Sequence, residues 1–327
     1  MTAAVGPVSA PVPGRSPRVR FSAGMLGLVI LLAIALPCIV TLPWSLSRYD
    51  KQDVGDVGAD PRRAPSWAEP MGTDQLGRSL MWRCLLGGAI SLGIGGSAAI
   101  ISVLTGVAWG AISGYSGGRV DATMMRTVDV LYGLPYVLLV VILGVAFEPR
   151  VTGIVRWCGE VTTGPDGWLS REAGTVANVV TLLAAIGGVS WLTMARVIRG
   201  QVLSLRAQPF VEAARACGAG PARVVWRHML PNLVGPIVVY ATLTVPSAIL
   251  QESFLSFLGI GVRPPLPSWG NLAAEALPEL SAFGLGGTSF RWWLLFWPCA
   301  LLGLTLMALN FLGDALRARL DPRGRGA

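Results

Sequence analysis

The run Leu85–Ser113, LLGGAISLGIGGSAAIISVLTGVAWGAIS, contains no Asp, Glu, Lys or Arg. A hydrocarbon core about 30 Å thick is crossed by roughly 20 apolar helical residues. This stretch therefore predicts a membrane span long enough to tilt or to extend beyond the lipid. Five further charge-free runs predict the same: Gly24–Leu42, the slightly short Val130–Phe147, Gly174–Ala195, Asn232–Gln251 and Trp292–Leu312. In lipid, backbone groups must be satisfied within each segment, which selects helices. The expected fold class is all-α, a polytopic membrane protein with six transmembrane helices. Composition agrees, with 53% hydrophobic and 13% charged residues. Soluble domains carry about 25% charged residues, so an ordinary cytosolic enzyme is excluded. Gly24–Leu42 follows Arg15, Arg18 and Arg20 as a signal peptide would, but it is too long for a signal h-region. Pro43-Trp44 also offers no small-residue cleavage site, so the run reads as a retained first helix.

The chain carries a net charge of +8, and the placement of that charge decides its meaning. The tail 1–23 has three arginines and no acid, and 196–231 has six arginines against Glu212. Basic residues mark cytoplasmic segments, so both termini are expected inside a cytoplasmic (inner) membrane, with 44–84, 148–173 and 252–291 outside. The excess is a topology signal: the partner is a lipid bilayer and no nucleic acid. Cys38, Cys84, Cys158, Cys217 and Cys299 form no CxxC pair, against a disulfide scaffold or zinc site. The single histidine, His228, rules out HExxH. Gly188-Val189-Ser190-Trp191 has the GxSx form of rhomboid-like proteases but no histidine within a span to serve as base. The only lysine, Lys51, lies between Asp50 and Gln52, so no P-loop is present. The chain is expected to be no enzyme, with no metal site and no cofactor of its own.

Within the spans, Asn178, Thr181, Ser190, Thr193, Thr242, Thr244 and Gln251 are expected to hydrogen-bond between helices. Gly87, Gly88, Gly93, Gly95 and Gly96 are expected to allow close helix packing. Glu252, at the outer end of span five, is either a translocation-pathway carboxylate or an interfacial one, and Asn310 is a second pathway candidate. The outer segments 44–84 and 252–291, with Trp67 and Trp269, either cap the membrane domain at the lipid interface or meet an external partner. Arg119, Asp121, Arg126 and Asp129 form either a local ion network or a solvated turn.

The longest hydrophilic inner stretch is Gln208–Pro231, QPFVEAARACGAGPARVVWRHMLP. Pro209 suits a helix start, and the residues through Ala216 are strong helix formers. Gly218-Ala219-Gly220-Pro221 breaks the helix, and a second amphipathic helix is expected from Ala222, with Pro231 marking entry to span five. Spacing alone also allows an interfacial helix pair held by anionic lipid.

Glu212-Ala213-Ala214, Gly218 and Leu230-Pro231 resemble the EAA loop of ABC-transporter inner-membrane permeases. Arg227-His228-Met229-Leu230-Pro231-Asn232 sharpens the likeness to the dipeptide/oligopeptide/nickel family, C-type permease subunit. Further blocks match in order: Gly72–Arg78 (GTDQLGR), Gly114–Asp121 (GYSGGRVD), Glu252–Gly261 (ESFLSFLGIG), Asn310–Asp314 (NFLGD) and Asp321-Pro322-Arg323. Departures are Ser79, where the family usually carries an acid, Met229 in place of Ile, and a longer 148–173 outer loop.

The resemblance implies a type I ABC importer permease fold and a peptide-transport function. It divides the chain into a cytoplasmic tail 1–23, a first helix with its outer loop 24–84, a core permease domain 85–312 and a cytoplasmic tail 313–327. The coupling loop 208–231 would dock on a cytoplasmic ATPase, with Glu212 pairing to a basic group, Gly218 permitting the turn, and Arg215 and Arg223 adding charge. Implied partners are a second homologous permease subunit in a heterodimer, two cytoplasmic ATPase subunits carrying ATP and Mg, and an extracytoplasmic solute-binding protein. In the external-loop motif, Gly72, Thr73, Asp74, Gly77 and Arg78 have two open readings. Thr73 or Asp74 caps the next helix while Asp74 pairs with Arg78 along a helical turn, or the motif meets substrate. The alternative for the whole chain is an ion-coupled secondary transporter of small solutes. Such proteins usually show internal repeats and ionisable midplane groups, and neither is evident here.

Overall fold

The computed structural model describes residues 17–53, 61–164, 167–279 and 291–320. Most of the N-terminal tail, and Asp321-Pro322-Arg323, lie outside the described residues. In chain order the helices are α1 (Pro17–Val40), α2 (Leu42–Arg48), α3 (Leu80–Ser116), α4 (Gly118–Tyr132), α5 (Tyr136–Thr163) and α6 (Trp168–Arg171). They continue with α7 (Ala173–Arg206), α8 (Pro209–Ala216), α9 (Pro221–Val224), a π-turn (Val225–Met229), α10 (Leu230–Phe257), α11 (Trp269–Glu275) and α12 (Trp293–Leu320). Six helices are long and apolar enough to cross a membrane: Ala23–Val40, Leu80–Ser116, Tyr136–Thr163, Ala173–Arg206, Pro221–Phe257 and Trp293–Leu320. Each contains one of the six runs expected from hydropathy, or most of it. No strand occurs among the described residues, only isolated bridges at Gln52–Arg78 and Thr73–Ser79.

The bundle is built around α3 and α7, which run parallel and share the most extensive helix contact. A glycine every fourth residue of α3 makes this possible. An added Cβ would lie 2.6 Å from Met194 Cβ at Gly106, 2.5 Å from the Ala195 carbonyl oxygen at Gly110, and 2.9 Å from the Arg199 carbonyl oxygen at Gly114. Small residues in such a row let helix backbones approach within a membrane. Of the glycines expected to pack, Gly87 meets Ser268, Gly88 meets Trp269 and Cys38, and Gly95 meets Ile249. Gly93 and Gly96 instead face open space, because they lie on a different side of α3. The apolar core between α3, α4, α5, α7 and α10 includes Ile94, Val128, Val140, Ile186 and Ala248. α1 lies antiparallel to α12, with Gly27 against Ala308 and Phe311.

Three helix boundaries differ from the sequence reading. First, α3 starts at Leu80, so the buried Arg83 sits on its first turn. Second, the 148–173 segment is not a loop. α5 continues through Glu148 and Pro149 to Thr163, because charged side chains end an apolar run without ending a helix. Third, the run Val130–Phe147 is not one helix: α4 ends at Tyr132 and α5 begins at Tyr136, after Pro135. As expected, Pro231 stands at the entry to span five, where the helix after Gly220 passes through the π-turn directly into α10. The wider turn accommodates a proline that has no N–H to give, and Asn232 Nδ2 donates to the His228 carbonyl at 2.6 Å.

The described parts of the 44–84 and 252–291 segments fold together as a cap, Arg62 Nη1 donating to Glu279 at 2.7 Å and Gln75 Nε2 to the Glu275 carbonyl at 2.8 Å. Trp269 is fully buried and its Nε1 donates to the Cys84 carbonyl at 3.1 Å, so it is core rather than an interfacial anchor. Trp67 is fully exposed. Ser268 and Asn271 form a reciprocal capping box that starts α11.

Candidate functional site

At the end of the bundle where α3 and α7 terminate, residues 208–229 form a helix–turn–helix. Pro209 opens α8 after an extended Gln208, which only Ala207 separates from α7. α8 ends in a Schellman turn: Gly218 N donates to the Arg215 carbonyl at 2.9 Å, and Ala219 N to the Ala214 carbonyl at 3.0 Å. Gly218 has φ +81°, a left-handed conformation that glycine adopts without penalty. Val211, Val224 and Met229 are fully buried and pack with Ala111, Met194, Ile198, Val202 and Leu233. The element is thus fastened by apolar side chains to three spans at once.

Of the residues expected to face a partner here, Glu212, Ala213, Gly218, Arg223 and Pro231 are exposed, whereas Ala214, Arg215 and Leu230 are half-buried. Arg215 is drawn back onto its own chain, its guanidinium 5.0 Å from the centre of the Tyr115 ring. Phe210 and Trp226 add exposed apolar surface at 41% and 74% accessibility.

Beside this element α4 is tied to α7. Arg199 Nε and Nη2 donate to the two oxygens of Asp121 at 2.6 Å each, and the Ser113 hydroxyl donates to the same carboxylate. Hydrogen bonds from Arg199, and next from Ser113, hold the Asp121 carboxyl below the usual carboxylate range against the opposing effect of burial. Arg196 pairs with Asp129 at 2.7 Å and lies 4.1 Å over the Tyr132 ring. The acids of the GYSGGRVD segment and its sequel therefore bind α7 arginines rather than Arg119 and Arg126.

A cleft of about 550 Å³ opens between the α4–α5 junction, α7 and α10. Tyr132, Tyr136, Ser190, Thr193, Tyr240, Thr244, Ser247 and Gln251 supply its polar groups, and no lining side chain is charged. Glu252 does not line it. Its carboxylate is fully buried, accepting from Ser91 at 2.7 Å, Ser256 at 2.7 Å and Ser253 at 3.3 Å. The neighbouring Gln251 reaches the cleft instead. Asn310 is exposed on α12 and is not among the lining residues. Asn178 bonds the 261–263 backbone, its Oδ1 accepting from Arg263 N at 3.1 Å. Ser190 and Thr244 donate within their own helices, to Ile186 and Tyr240, rather than between helices as expected.

At the opposite end, the GTDQLGR motif forms a tight turn with Gly72 and Gly77 at φ +77° and +72°. Asp74 Oδ1 accepts from Leu76 N and Arg78 N at 2.9 Å each. Its Oδ2 accepts from Arg78 Nε at 2.7 Å and Arg83 Nη1 at 2.5 Å. Arg83 also binds Glu275 at 2.6 and 2.9 Å. The Asp74–Arg78 pair therefore belongs to a buried network in a turn, not to an exposed helical turn. Neither Thr73 nor Asp74 caps α3, since Ser79 is its N-cap residue. Thr73 Oγ1 instead donates to the Pro61 carbonyl and accepts from Arg63 N, both at 2.6 Å. Ser79 donates to the Glu69 carboxylate, so a neighbouring segment supplies an acid beside that position. Sequence reasoning missed Arg83, Glu275 and Tyr136; for Arg83 the signal was an arginine just ahead of the longest charge-free run.

Residues 106–326 match the family model described as binding-protein-dependent transport system inner membrane component. The chain is 38% identical over 301 residues to the oligopeptide transport system permease protein OppC of Bacillus subtilis (strain 168), covering 92% of this chain and 86% of that one. To the dipeptide transport system permease protein DppC of the same organism it is also 38% identical, covering 92% and 82%. OppC of Escherichia coli (strain K12) is 39% identical over 303 residues, covering 93% and 88%. Among solved structures, an inward-facing MetNI methionine ABC transporter chain superposes with a TM-score of 0.50 at 18% identity, covering 74% of this chain and 98% of that one. That likeness bears on the fold, which is that of an ABC importer permease.

Proposed function

This chain belongs to the family of binding-protein-dependent transport system inner membrane components, and from that premise we propose that it is the C-type permease subunit of an ATP-driven importer of di- and oligopeptides. The observation that carries the coupling role is the 208–229 element, joined with almost no slack to α7 and continuous with α10. A rigid two-helix piece fastened to several spans transmits a rigid-body push that a flexible loop would absorb. In this reading Glu212, Ala213, Gly218 and Arg223 meet a groove on a cytoplasmic ATPase, and Arg215 and Leu230-Pro231 brace the element from behind.

The partners are two ATPase subunits, which bind ATP and Mg, a second homologous permease forming a heterodimer, and an extracytoplasmic binding protein. The absence of a lysine that could complete a P-loop supports an ATPase on other chains. Arginine-rich 196–231 supports a cytoplasmic position for this end, hence N- and C-termini inside. The outer cap with the Gly72–Arg78 turn then faces the binding protein, and the uncharged cleft is this subunit's share of the translocation pathway.

The test is reconstitution of the chain with its ATPases, second permease and binding protein in liposomes, following labelled peptide. ATP-dependent uptake that needs all components, and that Glu212→Lys abolishes while the complex still assembles, is expected. Uphill uptake by this chain alone, driven by an ion gradient, would overturn the proposal in favour of a secondary transporter.

A further inference from the structure

The GYSGGRVD motif lies outside the coupling loop, yet it folds against it. α3 ends at Ser116 and α4 begins at Gly118, so the chain reverses over Gly117, where φ is +65°. Just before the turn, Tyr115 packs into the apolar cluster that holds Val211 and Val224. The Arg215 guanidinium of α8 lies 5.0 Å from the centre of its ring. A Cβ on Gly117 would stand 2.7 Å from Arg206 Nη1, at the end of α7. The α3–α4 turn and the 208–229 element therefore meet edge to edge. Ser116, Gly118, Arg119 and Val120 are exposed there. The acids of α4 are both spent on α7, Asp121 on Arg199 and Asp129 on Arg196. Arg119 and Arg126 are left without an acidic partner among the described residues. On the coupling element Arg223 and Arg227 are exposed, and Glu212 is the one acid of 208–231. The joint surface is positive.

We propose that the α3–α4 turn is a second contact for the cytoplasmic ATPase, continuous with the coupling loop, in which Arg119 pairs with a carboxylate on that subunit. This rests on the ATP-driven reading above. A partner that reaches the 208–229 element meets the turn beside it, and a positive surface selects an acidic one. The contact has a mechanical consequence. The coupling loop is joined to α7 and α10, whereas the turn is joined to α3 and α4, and α4 leads into Leu131 and Tyr132 on the wall of the cleft. An ATPase that grips the coupling loop alone is free to rock about α8. Gripping the turn as well, it moves the α4 wall of the cleft together with the α7 and α10 walls, as one rigid-body step requires. Anionic lipid headgroups would attract the same charge, and the experiment separates the two.

The experiment uses the complete permease pair in nanodiscs of phosphatidylcholine, a neutral lipid, titrated with its ATPase subunits. Arg119→Glu is compared with Arg126→Glu, the same charge change two turns along the same helix, about 10 Å away. Arg119→Glu is expected to weaken ATPase binding several-fold and Arg126→Glu hardly at all. A photoreactive phenylalanine derivative in place of Arg119 is expected to cross-link to the ATPase, and one in place of Arg126 is not. Unchanged affinity in Arg119→Glu, or equal losses in the two variants, would overturn the contact. So would cross-linking from position 119 confined to lipid or to the second permease. If Arg119→Glu fails to assemble, the cross-link from position 119 decides. Wild-type binding that Arg119→Glu leaves intact removes the contact alone. A wild-type pair that binds no ATPase would instead refute the ATP-driven reading, and the contact would fall with it.

Discussion

Asp74 is the hub of the ion network in the cap, and substitutions around it should fall in a defined order. Asp74 and Arg83 have side chains 5% and 2% exposed, whereas Glu275 is 36% exposed. Removing Arg83 as Arg83→Met leaves Asp74 with Arg78 Nε at 2.7 Å and two backbone N–H donors at 2.9 Å. Glu275 can turn to water. The loss is then one buried charge-assisted hydrogen bond, about 1.5–3 kcal/mol, partly offset by the apolar volume of methionine. Asp74→Asn is worse, because it withdraws the buried carboxylate that hydrogen-bonds both guanidinium groups. Removing one partner from a buried pair costs about 3–5 kcal/mol. Glu275→Gln, at the half-solvated edge, should cost under about 1 kcal/mol.

Thermal unfolding of the purified complex, read by proteolysis within the 61–79 cap, checks this order. At roughly 2–4 °C per kcal/mol for a large domain, Arg83→Met lowers the midpoint by about 3–12 °C and Asp74→Asn by more. An Arg83→Met loss equal to or greater than that of Asp74→Asn would show that the carboxylate is not the hub, and the reasoning would fail.

Two further outcomes follow from the other end of the bundle. At Gly218, with φ +81° and nothing within 4 Å of an added Cβ, Ala meets no steric obstacle and only a conformational cost of about 1–2 kcal/mol. Gly218→Ala should therefore raise amide exchange in 209–216 about tenfold, at 1.4 kcal/mol per tenfold, while Gly218→Asn, which tolerates this conformation, does so less. The Asp121 carboxyl is held below its ordinary value in the folded chain by Arg199 and then Ser113. Its contribution to stability is thus fully present above the unfolded value, about 3.9, and is lost as pH falls through the depressed folded one. Amide protection within 118–132, taken relative to the intrinsic exchange rate at each pH, should be flat from pH 5 to 8 and fall only below about pH 4; Asp121→Asn should show the lowered protection already at neutral pH.

What the sequence could and could not disclose follows from the range of the forces involved. The six spans were legible because a bilayer imposes its demand on each segment separately, so local composition decides. The 208–231 element was legible for a similar reason: a proline start, a glycine turn and an apolar stripe are all near-neighbour features. The start of the third span was misread because Val130–Tyr132 is apolar enough to join the run, whereas Gly133 and Pro135 separate α4 from α5. Arg83 and Glu275 lie 192 positions apart, and nothing near either residue names the other. The cleft is harder still, since its walls come from the 131–136 turn, one face of α7 and one face of α10. No motif spans those segments.

Glu252 shows how this bears on function. As a lone acid at the edge of a span it invited a pathway role, by the rule that ionisable groups in membranes are functional. Enclosure by Ser91, Ser253 and Ser256 makes it a brace between α3 and α10. The residue offered to the cleft is Gln251, one position earlier and neutral. On a helix, adjacent residues point about 100° apart, so α10 packs the carboxylate against α3 while the residue before it belongs to the cleft wall.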